Sequence, residues 1–389
     1  MEDPIVIVGM ARTPIGALMG ELGDYHAHEL GSVAVRAAVA DANIEGAAID
    51  QILMGNVLQA GQGQAPARQA ALGAGLPKSV AATTLNKMCG SGLQAVVAAA
   101  SALAQRDSDV IVAGGMESMT NAPHLLVNHR FGKKYGADKI LDHMETDGLV
   151  DAYEGMAMGV YADQVAKEYQ FTREMQDAYA IETLSRAQGA TNEGRFTREI
   201  APVKLNAKEA IATDELPRRA KPDKIPNLRP AFNKDGTVTA ANASAISDGA
   251  AALVMMRESE AKKRGLTPLA RIVAHGVHAH EPAYFTTAPV PAIQKALKRA
   301  GWSAGDVDLW EINEAFAVVP MIAMAELGVS HERLNVNGGA CALGHPIGAS
   351  GARVLVTLIA AMEARGAAKG VASLCIGGGE GIALCVERA

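Results

Sequence analysis

The residues in this chain best suited to covalent chemistry are two cysteines and a histidine, each set in a glycine-rich turn. Cys89 stands in Asn86-Lys-Met-Cys-Gly-Ser-Gly92, directly before a run of small residues with helical character. A thiol at a helix N-terminus has its thiolate favoured by the helix dipole. The position therefore predicts a lowered pKa and a nucleophile active at neutral pH. His345 sits between Gly344 and Pro346 in the loop from Asn335 to Arg353, again ahead of an alanine- and leucine-rich helix. An imidazole there can serve as the base that a thiol nucleophile needs. Cys375 ends an apolar strand and enters Ile376-Gly-Gly-Gly-Glu-Gly381, a place that projects a side chain into a cleft. Asn313, in Asn313-Glu-Ala-Phe316, ends another strand and presents an amide donor. Taken singly, Cys89 and His345 also read as packing residues, and Cys341 and Cys385 read mainly so. Taken together, the four strand-end turns offer a thiol, an imidazole, a second thiol and an amide. In an α/β sheet such loops gather at the C-terminal edges of the strands, where ligands bind.

The elements that must position these groups follow an alternating βαβ rhythm. Strands are predicted at Ile5 to Val8, Ile49 to Val57 and Asp109 to Ala113, the last stopping at Gly114. Helices are predicted at Glu29 to Ala42 and Leu93 to Gln105. From Thr120 to about Ala243 the rhythm gives way to basic, acidic and amphipathic pieces, including a helix from Thr172 to Glu193, and this reads as a functional insertion. It resumes at Ser247. A second half follows, with a helix at Ala292 to Ala300, a strand at Leu309 to Ile312, a helix from Ala315 to Leu327, a helix at Ala352 to Ala361 and a strand at Gly370 to Cys375. The halves echo each other: Asp308 answers Asp50, Ser350 answers Ser91, and Glu380 answers Glu117, at a separation that drifts slowly along the chain. We read an internal duplication into two α/β units, each a central sheet with helices on both faces. The units are 1–119, completed by 245–268, and 269–389, with 120–244 inserted.

Composition narrows the functional class. The 389 residues are 49% hydrophobic and 20% charged, with 40 glycines, which suits a well-packed α/β protein and excludes disorder. A net charge of -6, with no basic stripe, argues against nucleic acid as a partner. No apolar run in the sequence reaches membrane-spanning length, so no membrane partner is expected. Met1-Glu2-Asp3 leads straight into the first strand without a targeting leader, and a reduced, cytoplasmic protein is the expectation. The four cysteines show no metal-ligand spacing, and no metal is expected.

The motifs named so far, together with Gly114-Gly-Met-Glu-Ser-Met119, Leu228-Arg-Pro-Ala-Phe232, Asn242-Ala-Ser244 and Asn337 to Gly348, resemble the signatures of the thiolase family along essentially the whole chain. The resemblance implies duplicated halves in a five-layer αβαβα core with an inserted loop domain. It implies an acyltransferase acting on acetyl-CoA, coenzyme A and 3-ketoacyl-CoA, which are substrates, so that no cofactor is required. Cys89 would accept the acyl group, His345 would activate it, and Cys375 would shuttle a proton. Two oxyanion holes would form, one from His345 with a water on Asn313, the other from the backbone amides of Cys89 and Gly377. Ser244, Leu228, Ala240, Ala315 and Phe316 match positions that contact the pantetheine or adenine. The family also implies a homotetramer, assembled through a segment near Asn121 to His143.

Three departures from the family pattern bear on specificity. Ala157 stands where many acetoacetyl-specific members have histidine, Phe285 where they have a methionine–glycine turn, and Pro217 where an arginine near the nucleotide is expected. Arg218, Arg219, Lys221 and Lys224 crowd that last loop and are candidates for the coenzyme phosphates, or a solvated face. The length and close spacing of the covering segment from Asp147 to Gly159 resemble the short-chain members, so a short-chain acetyltransferase is expected, with a broader-chain degradative thiolase as the alternative. A decarboxylating condensing enzyme is the nearest chemical rival, but would carry histidine or asparagine in place of Cys375. A silent lipid carrier or scaffold on the same fold is the more distant one.

Overall fold

The computed structural model describes residues 3–206 and 208–389. Nine strands carry the main path of its sheet. They are β1 (Ile5–Arg12), β2 (Gln51–Gly55), β3 (Ala81–Leu85), β4 (Val110–Ser118), β5 (Ser247–Arg257), β6 (Ala270–Ala279), β7 (Leu309–Ile312), β8 (Lys369–Ile376) and β9 (Glu380–Arg388). Their spatial order is β7-β8-β9-β6-β1-β5-β4-β2-β3, and the halves meet at a short antiparallel seam, Val6 on Arg271 and Ile7 on Ala270. Successive residues of a strand face opposite ways. Ile5, Ile7, Ile111, Leu253 and Leu374 point into one core, whereas Val6, Val8, Val112 and Val254 point into another. Apolar residues on both faces require cover on both faces.

Helices supply that cover. They are α1 (Ala27–Asp41), α2 (Pro66–Gly73), α3 (Ser91–Ala104), α4 (Met158–Glu168), α5 (Arg173–Asn192), α6 (Pro289–Ala300), α7 (Val318–Leu327) and α8 (Ile347–Arg365). α1 and α2 pack outside the first half, α6 and α7 outside the second, and α3 and α8 fill the space between the sheets. Five layers result, in the order α-β-α-β-α. α8 is long and apolar enough to span a bilayer, contrary to the sequence expectation, with a mean hydropathy of 1.4 over its most apolar window. The structure gives a different reason for its composition: 89% of that window is buried between the two sheets, where an all-round apolar helix belongs.

The duplication is visible in hydrogen bonds. Asp50 accepts from the backbone N–H of Asp109 and Val110 at 2.7 and 2.9 Å, fixing the start of β4. Asp308 does the same for Ala368 and Lys369 at 2.8 and 2.9 Å, fixing the start of β8. Only a single bridge, Trp310 to Leu334, marks in the second half the place that β3 holds in the first.

α3 and α8 cross where both carry glycine. A Cβ on Gly92 would lie 2.5 Å from the Ala352 nitrogen, and one on Gly351 only 2.2 Å from the Leu93 nitrogen. Backbone thus meets backbone, with no flexible side chain to yield. Glycine also explains why β4 runs on through Gly114 and Gly115 rather than stopping there. A side chain at Gly114 would strike the Ala251 carbonyl at 2.2 Å, and one at Gly115 the Gly348 carbonyl at 2.1 Å. These residues let β5 and the start of α8 close onto β4. Other boundaries shift by a few residues: α8 starts directly after Pro346, and α7 starts at Val318.

The segment between β4 and β5 carries α4, α5 and two short ribbons. Thr172 caps α5 by accepting from the Met175 N–H at 3.3 Å. Its lower part is pinned to the core by buried Arg12, which donates to Glu199 at 2.5 Å and to both oxygens of Asp214 at 2.7 and 2.9 Å. Removing one member of such a buried set strands the remaining charges, at a cost of about 3–5 kcal/mol.

The crossing makes a direct prediction. Gly351→Ala should lower unfolding free energy by about 3 kcal/mol through overpacking against backbone. Urea unfolding followed by circular dichroism checks it. Wild-type stability in the variant would mean that the helices can part without cost.

Candidate active site

The nucleophile turn is built by an unusual backbone. Met88 adopts φ +46°, a left-handed conformation rare for a side chain of its size. The turn lifts Cys89 to the head of α3, with Gly90 as the capping residue. A Cβ on Gly90 would meet the tip of the Ile376 side chain at 2.4 Å, which would have to swing aside. Ser91 braces the turn: its hydroxyl donates to the Met88 carbonyl at 2.7 Å and accepts from the Lys87 N–H at 2.8 Å.

Cys89, His345 and Gly377 line one cavity of about 510 Å³, whose walls are Met88, Met158, Phe232, Phe285, Phe316 and Ile347. Phe316 meets both Phe232 and Phe285 edge-on, with centroids 6.0 and 6.1 Å apart. Gly159 makes room for this aromatic wall, since a Cβ there would lie 2.2 Å from the Phe232 ring. Ser244, Ala240 and Ala315 line the same cavity. Cys375 is fully buried at the end of β8, and burial first, then the nearness of Cys89, holds its thiol well above the ordinary value. Asn313 is buried beside the histidine.

His345 is held as a specific tautomer. The Ser350 hydroxyl donates to the Pro346 carbonyl at 2.9 Å, so its oxygen can only accept from the imidazole Nδ1–H, 2.6 Å away. That leaves Nε2 without a proton and without a protein partner. A buried, unpaired acceptor at a cavity wall is a base awaiting a proton. Asn313 sits beside the ring, its Nδ2 3.5 Å from Nδ1, while its Oδ1 accepts from Arg353 at 3.3 Å. Glu311 lies 3.5 Å from the same guanidinium.

The charge states differ from the sequence expectation. Burial pushes the Cys89 thiol up to about 11 and outweighs the Gly377 N–H and the head of α3, which favour the thiolate. Burial, followed by the Arg353 charge, pushes His345 down to about 3. At neutral pH the resting pair is therefore thiol and neutral imidazole.

Two buried carboxylates shape the loops without entering the cavity. Glu117, at the end of β4, accepts from Asn56, from the N–H groups of Val57 and Leu58, and from the Gly348 N–H at 2.9 Å in the first turn of α8. Glu314 accepts from Tyr179, Thr183, Asn335 and the Cys341 N–H, and so gathers the loop leading to His345. Sequence reading used Glu117 and Ser350 only as landmarks of the duplication. The signal for Ser350 is a short polar side chain at a helix start beside a histidine, and for Glu117 a lone acid closing an apolar strand after a glycine pair.

A second cavity of about 480 Å³ adjoins the first at Ala240 and Ala245 and is lined by Leu228, Arg219, Lys221 and Lys224. Arg218, grouped with Arg219 in the sequence reading, lies outside both cavities. Its guanidinium is drawn to Glu21 at 2.6 Å. Among the described residues no cluster of histidine, cysteine, aspartate and glutamate is arranged to hold a metal.

Two outcomes follow. Alkylation of Cys89 by iodoacetamide should keep accelerating as pH rises toward about 11. A plateau near neutrality would instead reveal a resting thiolate. Ser350→Ala, which leaves Nδ1–H unpaired in a buried site, should slow base-assisted acylation of Cys89 by about tenfold, with Ser350→Thr closer to wild type. Equal acylation rates in wild type and Ser350→Ala would remove the tautomer assignment.

The geometry has close counterparts. The family described as thiolase, N-terminal domain, matches residues 5–259, and the family described as thiolase, C-terminal domain, matches residues 266–388. Acetyl-CoA acetyltransferase of Rhizobium meliloti (strain 1021) is 49% identical, with 100% of both chains covered. The cytosolic acetyl-CoA acetyltransferase of Mus musculus is 46% identical over 100% of this chain and 99% of its own. Among solved structures, the Acat5 thiolase from Ascaris suum in complex with coenzyme A superposes with a TM-score of 0.94 at 40% identity, covering 99% of this chain and 100% of that one. With both domains matched end to end, the chain belongs to the thiolase family.

Proposed function

We propose that this chain is an acetyl-CoA C-acetyltransferase, joining two acetyl-CoA into acetoacetyl-CoA and CoA, or cleaving short 3-ketoacyl-CoA with CoA. The observation that carries the reading is one apolar cavity in which the Cys89 thiol, the bare Nε2 of His345 and the Gly377 N–H converge. The acetyltransferase names of full-length relatives support it. His345 takes the Cys89 proton as sulfur attacks the thioester, and Cys375 gives its own proton to the departing CoA sulfur. The Cys89 and Gly377 amides receive the oxyanion, and one such donor is worth about 3 kcal/mol of transition-state stabilisation.

The second step falls to Cys375. Its thiol is raised by burial and then by the charge of Cys89. Having given its proton to the departing CoA, Cys375 stands as a thiolate beside a Cys89 thioester that carries no charge. It takes the α-proton of the second acetyl-CoA, and the carbanion attacks the Cys89 thioester. Cys89 departs as thiolate and recovers its proton from His345. His345, with a water on Asn313, would hold the second thioester oxygen. Every step uses side chains and backbone of this chain, and the reading requires no resident cofactor or metal.

Coenzyme A would thread from the Ser244, Ala315 and Phe316 wall past Ala240 to Leu228, with Arg219, Lys221 and Lys224 toward its phosphates. Assembly into a tetramer would use the excursion near 121–143, which exposes Leu126, Phe131, Tyr135 and Ile140. A cytoplasmic setting is in keeping with the relative described as cytosolic.

Acetyl-CoA should leave an acetyl group on the Cys89 peptide in mass spectra, and Cys89→Ala should abolish turnover. An adduct elsewhere with full activity in that variant would end the proposal. Chain length is the second readout. Ala157 opens the cavity and Phe285 closes part of it, and one methylene is worth about 1–3 kcal/mol. We expect kcat/KM to be highest for short 3-ketoacyl chains, and Ala157→His to narrow the range further. A long-chain optimum would favour the degradative alternative. A serine at both Phe131 and Tyr135 should shift the sedimentation mass below that of a tetramer.

A further inference from the structure

The turn that carries the Gly377 N–H consists of three glycines, 377–379, joining β8 to β9 as a hairpin closed by the pair Ile376 and Glu380. It has no side chain with which to hold itself. Gly378 and Gly379 adopt φ of +88° and +83°, and a Cβ on Gly378 would meet nothing within 4 Å. One anchor is local: the His280 N–H donates to the Gly379 carbonyl at 3.0 Å. A second anchor comes from the other half of the molecule. Lys87 Nζ pairs with the Glu380 carboxylate, bridging 293 positions of sequence. Lys87 lies two residues before the nucleophile and Glu380 three residues after the donor. The ion pair therefore spans the two turns whose spacing sets how the Gly377 N–H meets the Cys89 sulfur.

We infer that the Lys87–Glu380 pair is a positioning device, which aims the Gly377 N–H at Cys89 by tying a side-chain-free hairpin to the nucleophile turn. The assignment rests on the role proposed for Gly377 above. Both side chains keep partial access to solvent, at 24% and 35%, so the pair contributes little to global stability. Its value is geometric: it removes freedom from a turn that glycine leaves loose.

The test uses the full chain with Lys87→Met, Glu380→Gln, both together, and the exchanged pair Lys87→Glu with Glu380→Lys. Each single change should slow iodoacetamide capture of Cys89 at fixed pH by about threefold to fivefold, because the thiolate loses a donor. It should lower kcat by a similar factor while leaving the KM for acetyl-CoA within about twofold. The double neutral variant should be no slower than the singles, and the exchanged pair should recover most of the rate. Unchanged capture in both singles, or effects that simply add in the double, would overturn the inference. Capture of Cys89 needs no turnover, so this outcome is readable even if the acetyltransferase reading fails.

Discussion

Two helices touching backbone to backbone are the constraint on which this molecule depends. α3 and α8 each serve both sheets, and they can do so only if they pass within the width of a glycine at Gly92 and Gly351. Because the two halves repeat one plan, the crossing also sets the heads of the two helices side by side. Cys89 stands at one head and His345 at the other. A pairing of thiol and imidazole thus follows from the packing of a middle layer. No loop has to reach across the molecule to create it.

Around that pairing, burial decides the electrostatics. The cavity is apolar enough that a thiolate and an imidazolium are both disfavoured, so the fold spends its buried polar groups on holding shape. Glu117 ties β4 to the first turn of α8, and Glu314 gathers the loop from Asn335 to Cys341. Arg12 fastens the inserted segment to the core through Glu199 and Asp214. Each of these charges is surrounded by donors or an opposite charge, which is the condition for tolerating it inside. The thiol and the imidazole facing the cavity both rest uncharged at neutral pH.

Much of this was legible in the sequence for a physical reason. Glycine, cysteine and histidine at strand ends have few substitutes, so the turns around Cys89, His345 and Cys375 announced themselves. Asp50 and Asp308 revealed the duplication because each must cap the next strand. What stayed hidden depends on three-dimensional neighbours. The head of α3 promised a reactive thiolate at Cys89, but the density of apolar wall around it reverses the sign. The glycines of β4 looked like a strand stop, though they are the price of close approach by β5 and α8. Arg218 and Arg219 are adjacent in sequence, yet Glu21 draws one away while the other faces the second cavity. No local pattern contains that partner.

The insertion has a consequence for how the chain is made. Thr120 and Asp248 are hydrogen-bonded neighbours at the ends of β4 and β5, yet 128 positions separate them. At about ten residues per second, a ribosome needs on the order of ten seconds to bridge that interval, and longer to reach α8. Throughout it, β4 waits beside an empty slot for β5, and the apolar face of α3 waits for a helix near the end of the message. A nascent chain in that condition carries open strand edges and bare hydrocarbon. The interval before α8 is complete is therefore the one in which these surfaces are most open to wrong partners.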